Sequence, residues 1–74
     1  MNKMRRRRIE EIEEKLDQLD DVLVDILDEE QEYYDNIPDN LQTSEKADES
    51  DNAIDCITAA IMDLRDVIKL LNKI

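Results

Sequence analysis

The sequence predicts an all-α protein, an antiparallel two-helix hairpin that is coiled-coil-like in its side-chain pattern. Apolar residues recur at three- and four-residue spacing from Ile9 to Ile26, and again from Ala53 to Ile74. A single interruption, residues 28–50, separates these stretches and contains the only proline, Pro38. Two long helical stripes with one break between them are typical of a helix–turn–helix hairpin. At 74 residues, the chain forms one domain at most.

The first eight residues, MNKMRRRR, form a basic tip on an otherwise acidic chain. The tip carries +5, whereas residues 9–74 contain 21 acids and 5 bases and carry −16, which gives the formal net charge of −11. We predict that the tip merges into the first helix. Clustered arginines bind phosphate groups or acidic protein surfaces, although a solvated terminus that favours solubility is the alternative. The candidate anion-binding residues are Arg5, Arg6, Arg7 and Arg8.

A regular heptad predicts the first helix over residues 9–35. The a and d positions are apolar, and they are Ile9, Leu16 and Leu23 at a, and Ile12, Leu19 and Ile26 at d. Val22 at g and Leu27 at e make the apolar stripe broader than a coiled-coil seam. Pro38 disfavours helical geometry at the residue before it, so the helix should end near Asp35. Residues 36–43 are therefore predicted to form the turn.

The second helix is predicted over residues 44–74, with Thr43 or Ser44 as its N-cap. Its heptad is equally regular, with Ala47, Ile54, Ile61 and Ile68 at a, and Ser50, Ile57, Leu64 and Leu71 at d. Pairing each a residue with a d residue across the turn gives layers whose residue numbers sum to 80, such as Leu19 with Ile61. Tyr33 would then lie over the small Ala47 and cap the core, leaving Tyr34 exposed.

Two helices bury only one seam, and the residues at g, including Val22, Ala60 and Val67, would stay partly exposed. A single core in so short a chain supplies only about 3–5 kcal/mol of stability. Disulfides cannot add to it within one chain, because Cys56 is the only cysteine. We therefore expect the hairpin to form a homodimer or higher oligomer, most simply a four-helix bundle.

The composition argues against several functional classes. The chain has no histidine and no glycine, so the usual zinc ligands and the calcium-binding loop are missing, and we expect no metal and no cofactor. No catalytic motif is present, and we do not expect an enzyme. A lone thiol suits a reducing compartment, and no apolar run approaches the length of a membrane span. These features predict a cytoplasmic protein that does not insert into membranes.

The stretch around the turn has a more specific amino-acid composition than is needed to end one helix and cap the next. The run EEQEYYDNIPDNLQTSEKADES at residues 29–50, with Ala53-Ile54-Asp55 and Ala59-Ala60-Ile61 after it, resembles uncharacterised small helical-hairpin proteins of phages, prophages and mobile elements of Gram-positive bacteria. The resemblance implies a phage-type accessory protein in the cytoplasm of a bacterial host, without an assigned activity. The candidate partner-binding residues in this stretch are Glu30, Gln31, Tyr34, Asn36, Pro38, Asn40, Leu41 and Gln42.

Three functional hypotheses follow. The favoured one is a non-enzymatic oligomeric module that binds an unidentified host protein, as a phage accessory or counter-defence factor would. The first alternative is an acidic decoy that imitates nucleic-acid phosphates, because residues 10–35 contain 13 acids and one base, Lys15. The second is a sponge that sequesters a small anionic nucleotide at the arginines. The strongly acidic surface argues against direct binding to nucleic acid.

Overall fold

The computed structural model describes residues 1–74 and confirms the all-α two-helix hairpin. Helix α1 spans Lys3–Asp35 and helix α2 spans Glu45–Leu71, and a single 3₁₀ turn, Asp39–Leu41, lies between them. The two helices pack along their length into a rod of 60 × 15 × 13 Å. Residues far apart in the sequence therefore meet only across one seam between α1 and α2.

Helix α1 begins earlier than the sequence pattern indicated, at Lys3 instead of residue 9. The side chain of Asn2 caps it by accepting a hydrogen bond from the backbone N–H of Arg5 at 2.9 Å. Arginine is a good helix former, so the basic tip continues the helix. The four arginines are thus part of α1. The helix ends at Asp35, as predicted, and Asn36 is its C-cap.

The position of the turn and the N-cap of α2 agree with the sequence prediction. Pro38, with φ of −55°, directly precedes the 3₁₀ turn. Of the two candidate N-caps for α2, Ser44 takes the role, and its hydroxyl oxygen accepts a hydrogen bond from the backbone N–H of Ala47 at 3.3 Å. The acidic side chain of Glu45 lies in the first turn of α2, where it complements the helix dipole. Helix α2 ends at Leu71, before the predicted limit at residue 74.

The interior of the rod is thin. Only Ala47, Ser50 and Ile61 are buried, and all three lie on α2. The other residues predicted at a and d of α2 are half-buried, so the prediction for this helix is confirmed. Two small residues near the turn, Ala47 and Ser50, allow the helices to approach closely there.

Helix α1 faces α2 with a different edge from the predicted one, and the assignment of its d positions to the core was wrong. The d residues Ile12, Leu19, Ile26 and Tyr33 are 43–55% exposed. The half-buried residues instead occupy a and e, with Val24 at b, and those at e are Glu13, Asp20, Leu27 and Tyr34. Because α1 is apolar on both sides of its a positions, more than one edge can face α2. The observed rotation brings Asp20 to Arg65.

The rotation also takes Leu19 out of the seam. Leu19 is 55% exposed, so it does not form the predicted core layer with Ile61, which is buried. Asp20 contacts Arg65, and an arginine side chain spans about one helical turn, so these two residues lie within about one turn of each other along the rod. Leu23 and Ile61 are seam residues three and four positions from this pair, toward the turn.

The buried Ser50 hydroxyl has no hydrogen-bond partner, although the residue is only 3% exposed. An unsatisfied buried polar group costs about 1–3 kcal/mol, and alanine is also the better helix former. We expect Ser50→Ala to raise the free energy of unfolding by about 1 kcal/mol. Urea titration followed by circular dichroism would measure the change, with Thr58→Ala as the exposed serine-like control. A loss of stability in Ser50→Ala would show that the hydroxyl is satisfied.

Candidate functional site

An apolar strip lies along one side of the rod, and we call it the apolar flank. Its members are exposed aliphatic and aromatic side chains at the d and g positions of α1 and at the g positions of α2. They are Ile12, Leu19, Val22, Ile26 and Tyr33 of α1, and Ala60 and Val67 of α2. Single exposed apolar residues are ordinary on protein surfaces, but a continuous strip of them is a sign of an interaction site.

Two observations place these residues on one side of the rod. Tyr33 at d of α1 and Lys46 at g of α2 line the same groove at the turn. On the other edge, Asp20 at e of α1 meets Arg65 at e of α2. In an antiparallel pair of helices with e facing e, the d and g residues of α1 border the g residues of α2 on the opposite edge. The flank is thus shared by both helices.

The edge opposite the flank is polar and is closed by one ion pair. The Arg65 guanidinium donates to both carboxylate oxygens of Asp20, with Nε–Oδ1 at 3.1 Å and Nη2–Oδ2 at 3.2 Å. Asp20 accepts this hydrogen bond and carries the negative charge, and these two effects, in that order, raise the pKa of Arg65 above the usual value. Since arginine is already protonated at every physiological pH, the rise leaves its charge unchanged, and the pair links the two helices.

The turn is held by side chains from the predicted partner-binding set. Gln42 donates from Nε2 to the carbonyl of Ile37 at 2.9 Å, and Asn36 donates from Nδ2 to the carbonyl of Glu32 at 2.9 Å. Gln31 donates to the Asp35 carboxylate at 2.9 Å. Part of the particular composition of this stretch is therefore explained by hydrogen bonds inside the turn. Glu30 is half-buried at an a position of α1 and faces α2.

The exposed part of the turn is a shallow apolar groove of about 290 Å³. Tyr33, Ile37, Pro38 and Leu41 provide its apolar lining, and Leu41 is 49% exposed. The exposed members of the predicted set are Gln31, Asn36, Pro38, Asn40 and Leu41. The roles expected for the two tyrosines were reversed, because the rotation of α1 turns Tyr34 toward α2 and Tyr33 outward. We call Tyr33, Pro38 and Leu41 the turn surface.

The four arginines do not converge on a common point within one chain. Successive residues of a helix are about 100° apart around its axis, so four in a row point to all sides. Arg5 and Arg8 lie next to Ile9 and Ile12, on the side of the apolar flank. Arg6 and Arg7 border a separate surface with Lys3 and Glu10. The predicted anion-binding residues thus form two small basic surfaces instead of one site.

In the comparison with known proteins, no family model, curated protein or solved structure matches this chain.

Other chemistry on the surface is sparse. No group of three or more His, Cys, Asp or Glu side chains is arranged to hold a metal ion. Cys56 is exposed and unpaired. Neither helix has a stretch that is both long and apolar enough to cross a bilayer. The surfaces that remain as candidate sites are the apolar flank, the turn surface and the row of acids along the outside of α1.

Sequence reasoning missed Tyr33, Ile37 and Lys46 as residues of the turn groove, and it assigned the flank of α1 to the core. The sequence contained one signal for the rotation of α1. Glu13 and Asp20 at e of α1 are acidic, and Arg65 at e of α2 is basic, so Asp20 can form an ion pair across the seam. A search for opposite charges between the two e positions could have identified the observed face.

Proposed function

We propose that this protein is a non-enzymatic interaction module that associates with itself and binds another protein through its turn. One observation carries the proposal, which is the amount of surface that the hairpin leaves uncovered. Its accessible area is 6007 Å², whereas a compact protein of 8.7 kDa has about 4,700 Å². Twelve large hydrophobic side chains are exposed on the surface of the hairpin. Such a surface is suited to contact with other chains.

The turn surface has the features of a small protein-docking site. An exposed aromatic ring and an exposed leucine side by side are the kind of anchors that dominate binding energy in protein interfaces. The hydrogen bonds of Gln42 and Asn36 hold the backbone beneath them, so little ordering is required when a partner binds. By resemblance of residues 29–50, we propose a bacterial host protein as the partner, and a phage accessory or counter-defence role for the chain.

Tyr33→Ala combined with Leu41→Ala is expected to abolish capture of the partner from host lysate while the helical signal stays unchanged, because both side chains are about half exposed. The matched control is Met62→Ala, which removes an exposed apolar side chain from another face of the rod. Affinity capture with each variant, read by mass spectrometry, would measure the loss. Undiminished capture of the same protein by the double variant would contradict a binding role for the turn.

The acidic decoy is a second candidate, favoured by the unpaired charge on α1. Residues 10–35 hold 13 acids, yet Asp20 makes the only ion pair in the structure. Acids at three- and four-residue intervals run down the outside of the helix, at Glu10, Glu14, Asp17, Asp21, Asp25, Asp28 and Glu32. A decoy would capture basic nucleic-acid-binding proteins, and salt would release them steeply. A partner bound through Tyr33 and Leu41 would be retained at the same salt concentration.

A further inference from the structure

We propose that two copies of this chain pack through their apolar flanks, with the two α1 helices antiparallel and crossing at Leu19. This inference rests on the self-association proposed above, and it specifies the surface and the direction. Both copies use the same strip, so the contact has two-fold symmetry and closes on itself. The second copy covers Ile12, Leu19, Val22 and Ile26 of α1, which the single hairpin leaves exposed, and Leu41 of the turn surface lies outside this contact.

The accessible area of the hairpin is large enough for a second copy of the chain to cover part of it. With an accessible surface of 6007 Å², the chain exposes about 1,300 Å² more than a compact protein of its mass. A stable interface covers about 800 Å² on each partner, and obligate dimers cover more. A second copy laid along the flank would thus remove the excess, whereas a short peptide in the turn groove would leave most of it exposed.

The spacing of residues along the flank selects the direction. The d positions of α1 carry Arg5, Ile12, Leu19, Ile26 and Tyr33 in that order. A two-fold rotation at Leu19 places Leu19 against Leu19, and Ile12 against Ile26 of the second copy. The same rotation brings Arg5 over the ring of Tyr33 of the second copy, which is a cation–π arrangement.

The charges agree with the same direction. Arg8 occupies a g position beside the flank, and rotation at Leu19 places it opposite Glu29 of the second copy, also at g. A parallel arrangement would instead bring both sets of four arginines together at one end, close to Lys69 and Lys73 of α2. Like charges in contact oppose association, whereas opposite charges fix orientation.

Helix α2 has its own two-fold centre at nearly the same level. Ala60 and Val67 lie at successive g positions, and an antiparallel copy places Ala60 against Val67. Their midpoint is two residues or fewer from Arg65, which contacts Asp20 of α1. The centres on α1 and α2 therefore lie within about one to two helical turns of each other. One rotation pairs both helices of the hairpin.

Single cysteines in the full chain test the surface. In a Cys56→Ser background, Leu19→Cys is expected to form a disulfide-linked dimer under mild oxidation. Asp21→Cys, on the outer face of α1, is the matched control. An ordered contact raises the local thiol concentration from about 10 μM to the millimolar range, so Leu19→Cys should crosslink roughly 100-fold faster. Circular dichroism would check that both exposed substitutions leave the helices intact.

Mixing two variants tests the direction. Ile12→Cys and Ile26→Cys chains, each in the Cys56→Ser background, are expected to give the mixed disulfide in preference to either symmetric one. A parallel contact would give the symmetric products instead and would overturn the antiparallel arrangement.

Light scattering of the Cys56→Ser parent tests self-association separately from the choice of the flank as the contact surface. A dimer whose Leu19→Cys variant crosslinks no faster than Asp21→Cys would overturn the flank as the contact and leave self-association standing. A monomer at micromolar concentration would overturn both. A dimer with fast crosslinking at Leu19 and a mixed product from Ile12→Cys and Ile26→Cys would support the arrangement.

Discussion

Ile61→Asp is expected to unfold the protein. Ile61 is 5% exposed and is the only large side chain that the hairpin buries. Loss of a buried isoleucine costs about 2–5 kcal/mol, and a carboxylate without a partner in the same place adds further desolvation cost. A core in a chain of this length supplies only about 3–5 kcal/mol. The substitution therefore removes about as much stability as the core supplies.

The next residue provides the matched control. Met62 is 63% exposed, so Met62→Asp makes a comparable chemical change on the outside of the same helical turn. Far-UV circular dichroism during thermal and urea denaturation would measure both variants. We expect a cooperative transition for Met62→Asp and none for Ile61→Asp. Equal stability of the two variants would contradict the assignment of Ile61 to the core.

A disulfide between positions 23 and 61 is expected to stabilise the hairpin strongly. In a Cys56→Ser background, Leu23→Cys with Ile61→Cys places one thiol on each helix, at seam positions three and four residues from the contact of Asp20 with Arg65. The bond closes a loop across the whole turn, and a loop of that length corresponds to about 4 kcal/mol in the chain-entropy model. The melting temperatures of the oxidised and reduced forms of the same protein would measure the gain.

The control for this prediction is Leu19→Cys with Ile61→Cys, the pairing that the heptad alone indicated. Leu19 is 55% exposed and points away from α2, so its thiol cannot meet the disulfide geometry without movement of the backbone. We expect a fast bond within one chain for the pair at 23 and 61 and a slow one for the control. Faster closure in the control would show that α1 faces α2 with its d edge.

Helix α2 could be predicted almost completely from the sequence, and α1 only in part. The apolar residues of α2 concentrate at a, d and g, while its e positions are Asp51, Thr58, Arg65 and Asn72. The seam of α2 can therefore extend from a only toward d. Helix α1 has apolar residues at a, d, e and g, so a rotation of about 50°, from an a/d seam to an a/e seam, changes its buried face without changing the period. Hydrophobic spacing alone does not distinguish those rotations.

The turn shows a similar division. Its position and its cap could be predicted, because Pro38 restricts the backbone and Ser44 suits an N-cap whatever surrounds them. Which turn residues face outward could not, because that depends on the rotation of α1. Tyr33 and Tyr34 are adjacent, and the same rotation exchanges their environments. The hydrogen bond from Gln42 to Ile37 spans five residues and has no signature in helix-capping rules.

Because the few buried residues are unevenly distributed, the protection of backbone amides from hydrogen exchange varies along the rod. The three buried residues lie between positions 47 and 61, and the last ten residues of α2, toward the open end, make only half-buried contacts. Local opening should therefore begin at the open end, where amide hydrogens exchange first. The arginines of the basic tip, which are cleavage sites for a trypsin-like protease, lie at this end. Clipping at Arg8 would remove five positive charges in one step and leave an almost wholly acidic rod.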